Sequence, residues 1–168
     1  MQTEADIRVG SWRDCGSLGS PAGMPLAEGV LVAVGGGTGA WARLRTQRYA
    51  SARFGVRGAT WGITSINLAG SFALGFMTGG GVAGSSAALL CTGFCGGFTT
   101  ASTASLQAHG HLAAGRLDLF VPHVAANALG CVVMVAAGMA AAQTPAGRAC
   151  TRIGDRALGA AARRAGVL

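Results

Sequence analysis

The 168-residue chain has no lysine; all thirteen of its basic residues are arginine. No carboxylate occurs between Glu28 and Asp118, and no formal charge of either sign occurs between Arg57 and Arg116 or between Asp118 and Arg148. Charged residues make up 11% of the chain, against about 25% in an ordinary soluble domain. That scarcity excludes a soluble helical bundle, which needs polar outer faces. A hydrophobic share of 51% excludes a disordered chain. With carboxylates missing from the apolar stretches, the usual proton relay and the usual trap for an organic cation are missing too. This argues against a small drug or metabolite exporter. Paired carboxylates, a nucleophile–base set and a metal-ligand cluster are all lacking, which argues against an enzyme.

What is present is apolar length. A membrane-crossing helix needs about 20 mainly apolar residues, and the charge-free gaps hold two such spans and then one more. Residues 1–27 mix charge, serine, glycine and proline, and read as a tail without the basic start and apolar run of a secretory signal. The chain turns apolar at Val30. From Glu28 to Arg43 a helix is only about 22 Å long, shorter than a hydrocarbon core of about 30 Å. The first span is therefore expected to run on towards Tyr49, with Arg43 at membrane depth or snorkelling from near its end. A basic loop over 45–57 is expected next. The second span is expected over 58–81, the third over 87–109 and the fourth over 119–142, followed by a basic tail over 143–168. The third span contains Gly93-Phe94-Cys95-Gly96-Gly97-Phe98-Thr99-Thr100. Flexible glycine and β-branched threonine make poor helix, so a break is expected there, in protein or beside a polar cavity. The arginines flank the apolar stretches as membrane anchors would, which sets nucleic acid aside as a partner. Their distribution over the two sides is nearly even and sets no firm orientation.

Several residues invite a functional reading. Gly35-x-Gly37-x-x-Ala40 after an apolar run resembles a dinucleotide turn, but that chemistry needs an acid about 20 residues on, where this chain has arginines. Close helix packing through small residues is the better reading. Cys91 and Cys95 share a helix face without histidines beside them, and read as small apolar filler. His109 and His111, at the end of the third span, read as interfacial. His123 reads as a packed or interfacial histidine rather than a pore-facing one. Polar residues inside spans are costly and often functional. Here they are Asn67, the run from Thr99 to Ser105, Gln107 and Asn127. Their bland reading is hydrogen-bonded glue between helices. Neutral amides and hydroxyls can also replace the water around a small anion, and Arg43 can raise the local anion concentration.

Over about residues 30–142 the chain resembles the Fluc (CrcB) fluoride channels. Gly35-Gly36-Gly37-Thr38-Gly39-Ala40-Trp41-Ala42-Arg43 is similar to that family's glycine-rich first helix. Thr64-Ser65-Ile66-Asn67-Leu68-Ala69-Gly70-Ser71-Phe72 is similar to its second-helix segment, with Asn67 at the pore asparagine. Thr92 to Thr100 is similar to its broken third helix, and Asn127-Ala128-Leu129-Gly130 fits the fourth more loosely. The resemblance implies an all-α membrane protein of four transmembrane helices with a break in the third, in a tail–channel–tail layout of 1–27, 28–142 and 143–168. It implies an antiparallel, dual-topology dimer in the cell membrane that exports fluoride passively. It also implies a structural Na+ held by the backbone carbonyls of Gly96 and Thr99. Asn67, Ser102, Thr103 and Asn127 are the expected ion-pathway residues, with Arg43 at a vestibule.

The chain departs from this pattern where the family usually reads Phe-Ser-Thr-Phe. It has Ala101-Ser102-Thr103-Ala104, so both pore-lining rings are missing, and the family's nearby glutamate falls on Gln107. Three readings follow. The chain is one half of a heterodimer whose related partner supplies the rings, which is the preferred reading. Or it is a homodimer in which Phe94 or Phe98 stands in. Or it is a non-conducting structural or regulatory subunit.

Overall fold

The computed structural model describes residues 26–164, so the expected N-terminal tail lies outside the described residues except for its last two positions. All regular structure in this range is helical. An unbroken helical stretch, Leu26–Gly79, is in fact two helices that meet at Gly55 (φ 61°, ψ −141°). We label them α1 (26–54) and α2 (56–79). Only glycine takes that backbone conformation cheaply. The chain doubles back there, because Gly58 and Gly62 lie against Ala50. This corrects the expected basic loop over 45–57. Arg45, Arg48 and Arg53 extend α1, Arg57 opens α2, and one residue makes the whole turn.

A turn through Gly81 and Gly84, both with positive φ, leads into α3 (84–98). Most of α3 is the wide π-helical segment Ala88–Cys95. The helix ends at Thr99 and Thr100, both extended (φ/ψ −79°/158° and −155°/117°). It resumes as α4, Ala101–Ala113. The expected break is therefore present, at the end of the glycine-rich run. After a turn at Gly115 comes α5, Leu117–Ala142, with a π turn over Ala126–Gly130. By length and composition alone, α5 is the one described helix apolar enough to cross a membrane. The segment expected as a basic tail carries a sixth helix, α6, Pro145–Arg164.

Two parallel helix pairs set the architecture. α1 lies on α3 through Gly35 and Gly39. A side-chain carbon on either would overlap a backbone carbonyl, that of Leu89 or Phe94 respectively. α2 lies on α5 in the same way, with Gly75 against Val135 and Gly138 against Phe72. Small residues at four-residue spacing let helix backbones approach this closely, so the Gly35–Ala40 run serves helix packing. Ile63, Ile66 and Ala104 form the buried core between α2 and α4, with Phe98 packed against them. Gly39→Ala should lower stability by about 1–3 kcal/mol, the cost of overpacking. Gly37, two residues away, has open space around it. Gly37→Ala should be neutral or stabilising by up to about 1 kcal/mol through helix propensity. Thermal unfolding of the two variants in detergent checks the contrast.

Candidate functional site

The site grows out of the break between α3 and α4. In a continuous helix the Thr100 amide would bond the Gly96 carbonyl. Instead it donates to Oδ1 of Asn67 at 2.8 Å. Because that amide can only donate, it fixes which way the Asn67 side chain faces. Nδ2 of Asn67 then donates to the Thr100 carbonyl (3.0 Å) and to Oδ1 of Asn127 (2.7 Å). One buried asparagine on α2 thus replaces the missing turn of the helix and ties it to α5. The Thr100 hydroxyl caps α4, accepting from the Thr103 amide at 3.3 Å.

The network continues along α5. Nδ2 of Asn127 donates to the His123 carbonyl (2.8 Å) and to the Thr64 hydroxyl (3.2 Å). His123 is 1% exposed. Its Nε2 faces the Ala104 carbonyl at 3.0 Å and must donate there. In the neutral ring Nδ1 is then an acceptor, facing the Thr64 hydroxyl at 2.9 Å. His123 is thus packed, as its bland reading expected. His111 is buried in the protein and pairs through Nε2 with the Thr60 hydroxyl at 2.7 Å, while His109 is exposed. No spacing rule pointed to the Thr60–His111 or Thr64–His123 pairs. The available signal was the four-residue repeat of threonine, Thr60 and Thr64, on the face of α2 that also carries Asn67.

Beside this network lies a cavity of about 580 Å³. Asn67, Thr100, Asn127, Gly96, Thr99, Ala101 and Ala104 are on its wall, together with the hydroxyls of Ser71 and Ser105 and the thiols of Cys91, Cys95 and Cys131. Most of the expected positions therefore come together. Ser102 and Thr103 do not reach this wall; their side chains instead bond the Thr100 hydroxyl, at 3.2 and 3.1 Å. Phe94 and Phe98 are also off the wall, stacked on each other at 5.6 Å, with Phe98 against the core. Gln107 donates to the Ala59 carbonyl at 3.2 Å, and its Oε1 is buried with no partner among the described residues.

The carbonyls of Gly96 and Thr99 suit a hard cation, which takes oxygen ligands. The Thr100 amide has been drawn away from Gly96, and the Thr103 amide goes to the Thr100 hydroxyl rather than to Thr99. The Thr99 carbonyl accepts instead from the Arg43 guanidinium at 3.3 Å, and its second lone pair remains for another partner. Arg43 is thus half-buried at the break itself. Two carbonyls are a partial ligand set for such a cation.

A helical bundle with a broken helix, a cavity beside it with two asparagines on its wall, and no catalytic constellation among the described residues has the make-up of a membrane ion pathway. The chain belongs to the CrcB family: residues 30–139 match the family described as "CrcB-like protein, Camphor Resistance (CrcB)". The chain is 40% identical over 113 residues to the "Fluoride-specific ion channel FluC 2" of Rhodococcus jostii, covering 67% of this chain and 90% of that protein. It is 41% identical over 91 residues to the "Fluoride-specific ion channel FluC 1" of Symbiobacterium thermophilum, covering 51% and 73% respectively. A match to the "Fluoride-specific ion channel FluC" of Methanococcus aeolicus, 30% identical over 117 residues, covers 67% of this chain and 93% of that protein. The family is one of membrane ion channels and not of enzymes.

Proposed function

We propose that the chain is a subunit of a fluoride-specific channel that lets fluoride leave the cell passively across the cell membrane. The observation that carries this reading is the cavity at the helix break. Its wall combines amides and hydroxyls with no carboxylate, in a chain whose residues 30–139 match the family. Fluoride is small and strongly hydrated, so a pathway must offer donors in place of water. The N-terminus of α4 adds to this, because Ala101, its first residue, is on the wall. A helix N-terminus carries partial positive charge and attracts anions. Asn67 spends its amide donors on Thr100 and Asn127, and Asn127 spends its own on Thr64 and His123. They act first as positioning residues that hold the break open. The Ser71 and Ser105 hydroxyls put further donors on the wall.

The functional unit is a dimer of four-span subunits in antiparallel orientation, with a second subunit completing the cation site at Gly96 and Thr99. When bound there, Na+ would add fixed positive charge beside the break and crosslink the two subunits. Ala101 and Ala104 favour a heterodimer, since they leave the cavity wall of this chain without rings. The same two alanines also support a second reading, a non-conducting structural or regulatory subunit.

Fluoride efflux from liposomes tests both, with chloride as control. The chain is reconstituted alone and then together with a related subunit from the same genome. Efflux with the partner only is the expected result. Selective efflux from the chain alone would overturn the heterodimer. No efflux from the folded protein in either setting would leave the non-conducting reading.

A further inference from the structure

The sixth helix lies beyond residue 139, outside the family match. It begins on Thr144, whose hydroxyl accepts from the Gly147 amide at 3.1 Å, with Pro145 in the first helical position. Only Gln143 and Thr144 separate it from α5. It docks through Thr151, which is buried against Gly80 in the turn after α2. Arg148, Arg152 and Arg156 recur every fourth residue and are exposed. On a helix such residues share one face. Thr151 and Leu158 lie on another, the docked one. Ala149, Ile153, Ala157 and Ala160 form a third, exposed and apolar strip. The helix as a whole carries five arginines against one carboxylate, Asp155.

A second cavity, of about 440 Å³, opens between this helix and the Gly79-Gly80-Gly81 turn. Gln143, Arg148, Thr151 and Arg152 complete its wall. Arg148 is held at the rim by a bond from Nε to the Gln143 carbonyl at 2.8 Å. That bond uses one of the five donors of the guanidinium. The Thr151 hydroxyl and the Gly80 and Gly81 amides already donate to backbone carbonyls, so the two guanidinium groups carry the recognition; a phosphate group suits them, because guanidinium binds it through paired donors.

We propose that this cavity seats the phosphate of an anionic phospholipid headgroup, and that α6 lies along the membrane surface with its arginine stripe on neighbouring headgroups. The position argues for lipid over free phosphate. The cavity sits two residues beyond the end of α5, the helix long and apolar enough to cross a membrane. That is headgroup depth. An apolar strip beside a basic stripe is the pattern of a helix lying in the interface. The inference rests on membrane residence and not on fluoride conduction.

The test is a titration of the full-length protein in detergent with short-chain phosphatidylglycerol, phosphatidylcholine and inorganic phosphate, read by native mass spectrometry. Phosphatidylglycerol should bind in clear preference to phosphatidylcholine, and the preference should shrink as salt is raised from about 0.05 to about 0.5 M. R148Q/R152Q should weaken phosphatidylglycerol binding roughly 25-fold, about fivefold per arginine. R45Q/R48Q, which removes the same charge from the far end of α1, should leave it unchanged. Equal binding of the two lipids by the unaltered protein would overturn the proposal, and so would equal losses in the two double variants. Displacement of the lipid by an equal concentration of inorganic phosphate would assign the cavity to a free anion instead. The salt series needs no substitution, so a variant that fails to fold leaves the proposal testable.

Discussion

Asn67→Leu should cut fluoride efflux about 100-fold in whichever liposomes conduct, whether the chain is alone or paired. The substitution removes the acceptor of the Thr100 amide and the donors to the Thr100 carbonyl and to Asn127. Each buried group left without a partner costs about 1–3 kcal/mol. The Thr100 amide can recover its bond only by closing on the Gly96 carbonyl, which heals the break and occupies one of the two carbonyls proposed to hold a cation. A fall in efflux of about 100-fold is expected, equivalent to two lost contacts of about 1.4 kcal/mol each. Asn67→Asp separates position from charge. Its carboxylate still accepts from the Thr100 amide, but it cannot donate to the Thr100 carbonyl or to Asn127, and it repels an anion. Where circular dichroism and gel filtration show Asn67→Asp folded, it should lose efflux. Wild-type efflux from a folded Asn67→Leu protein would remove the break from the mechanism.

The second large effect is a gain. Ala101 and Ala104 stand on the cavity wall one turn apart. Phenylalanine at both positions would turn electropositive ring edges towards that space; taken by analogy with edge-to-face aromatic pairs, each ring is set at about 0.7 kcal/mol. If missing rings silence this chain, A101F/A104F should raise its fluoride efflux alone about tenfold above background, with chloride unchanged. The two positions differ in tolerance. Ala101 is exposed to the cavity, whereas Ala104 is in the core with Ile63 and Ile66. A ring at 104 must swing into the cavity or pay an overpacking cost of about 1–3 kcal/mol, so A101F alone serves as the folding control. A folded double variant that stays silent by itself would place the cause elsewhere, with Gln107 and its unpartnered oxygen the next position to change.

Much of this arrangement was legible in the sequence, for physical reasons that differ by element. The break could be placed because glycine and threonine are poor helix formers, and the glycine run marked its neighbourhood. That it falls at Thr99 and Thr100 could not be read, because Asn67, 33 residues away, supplies the bond that fixes it. Asn67, Asn127 and the Thr99–Ser105 run could be noted as polar residues within apolar spans, but their grouping with Gly96, Ala101 and Ala104 on the cavity wall came from the family resemblance and not from spacing. The removal of Ser102 and Thr103 from that wall follows from the Thr100 cap, a local competition that composition does not reveal. The turn between α1 and α2 was misread as a long basic loop. A run of arginines looks like solvated chain, yet arginine is a good helix former, and glycine at 55 alone reverses direction. The sixth helix carried its own signals in Thr144, Pro145 and the four-residue spacing of arginine. Net charge had obscured that period.

The one-residue joint at Gly55 has a consequence for how copies of this chain can mix. With any other residue at 55, the conformation that closes the hairpin is strained, while the helical one is open. A chain that took it would run straight for 54 residues, about 81 Å. Its α1 would then be out of reach of its own α3, and the surface of α3 that Gly35 and Gly39 pack against would be vacant for the α1 of a neighbour. That is the geometry of domain swapping. A single glycine therefore keeps each subunit's first helix its own, and substitution there would convert separate subunits into interlocked ones without altering any residue of the cavity.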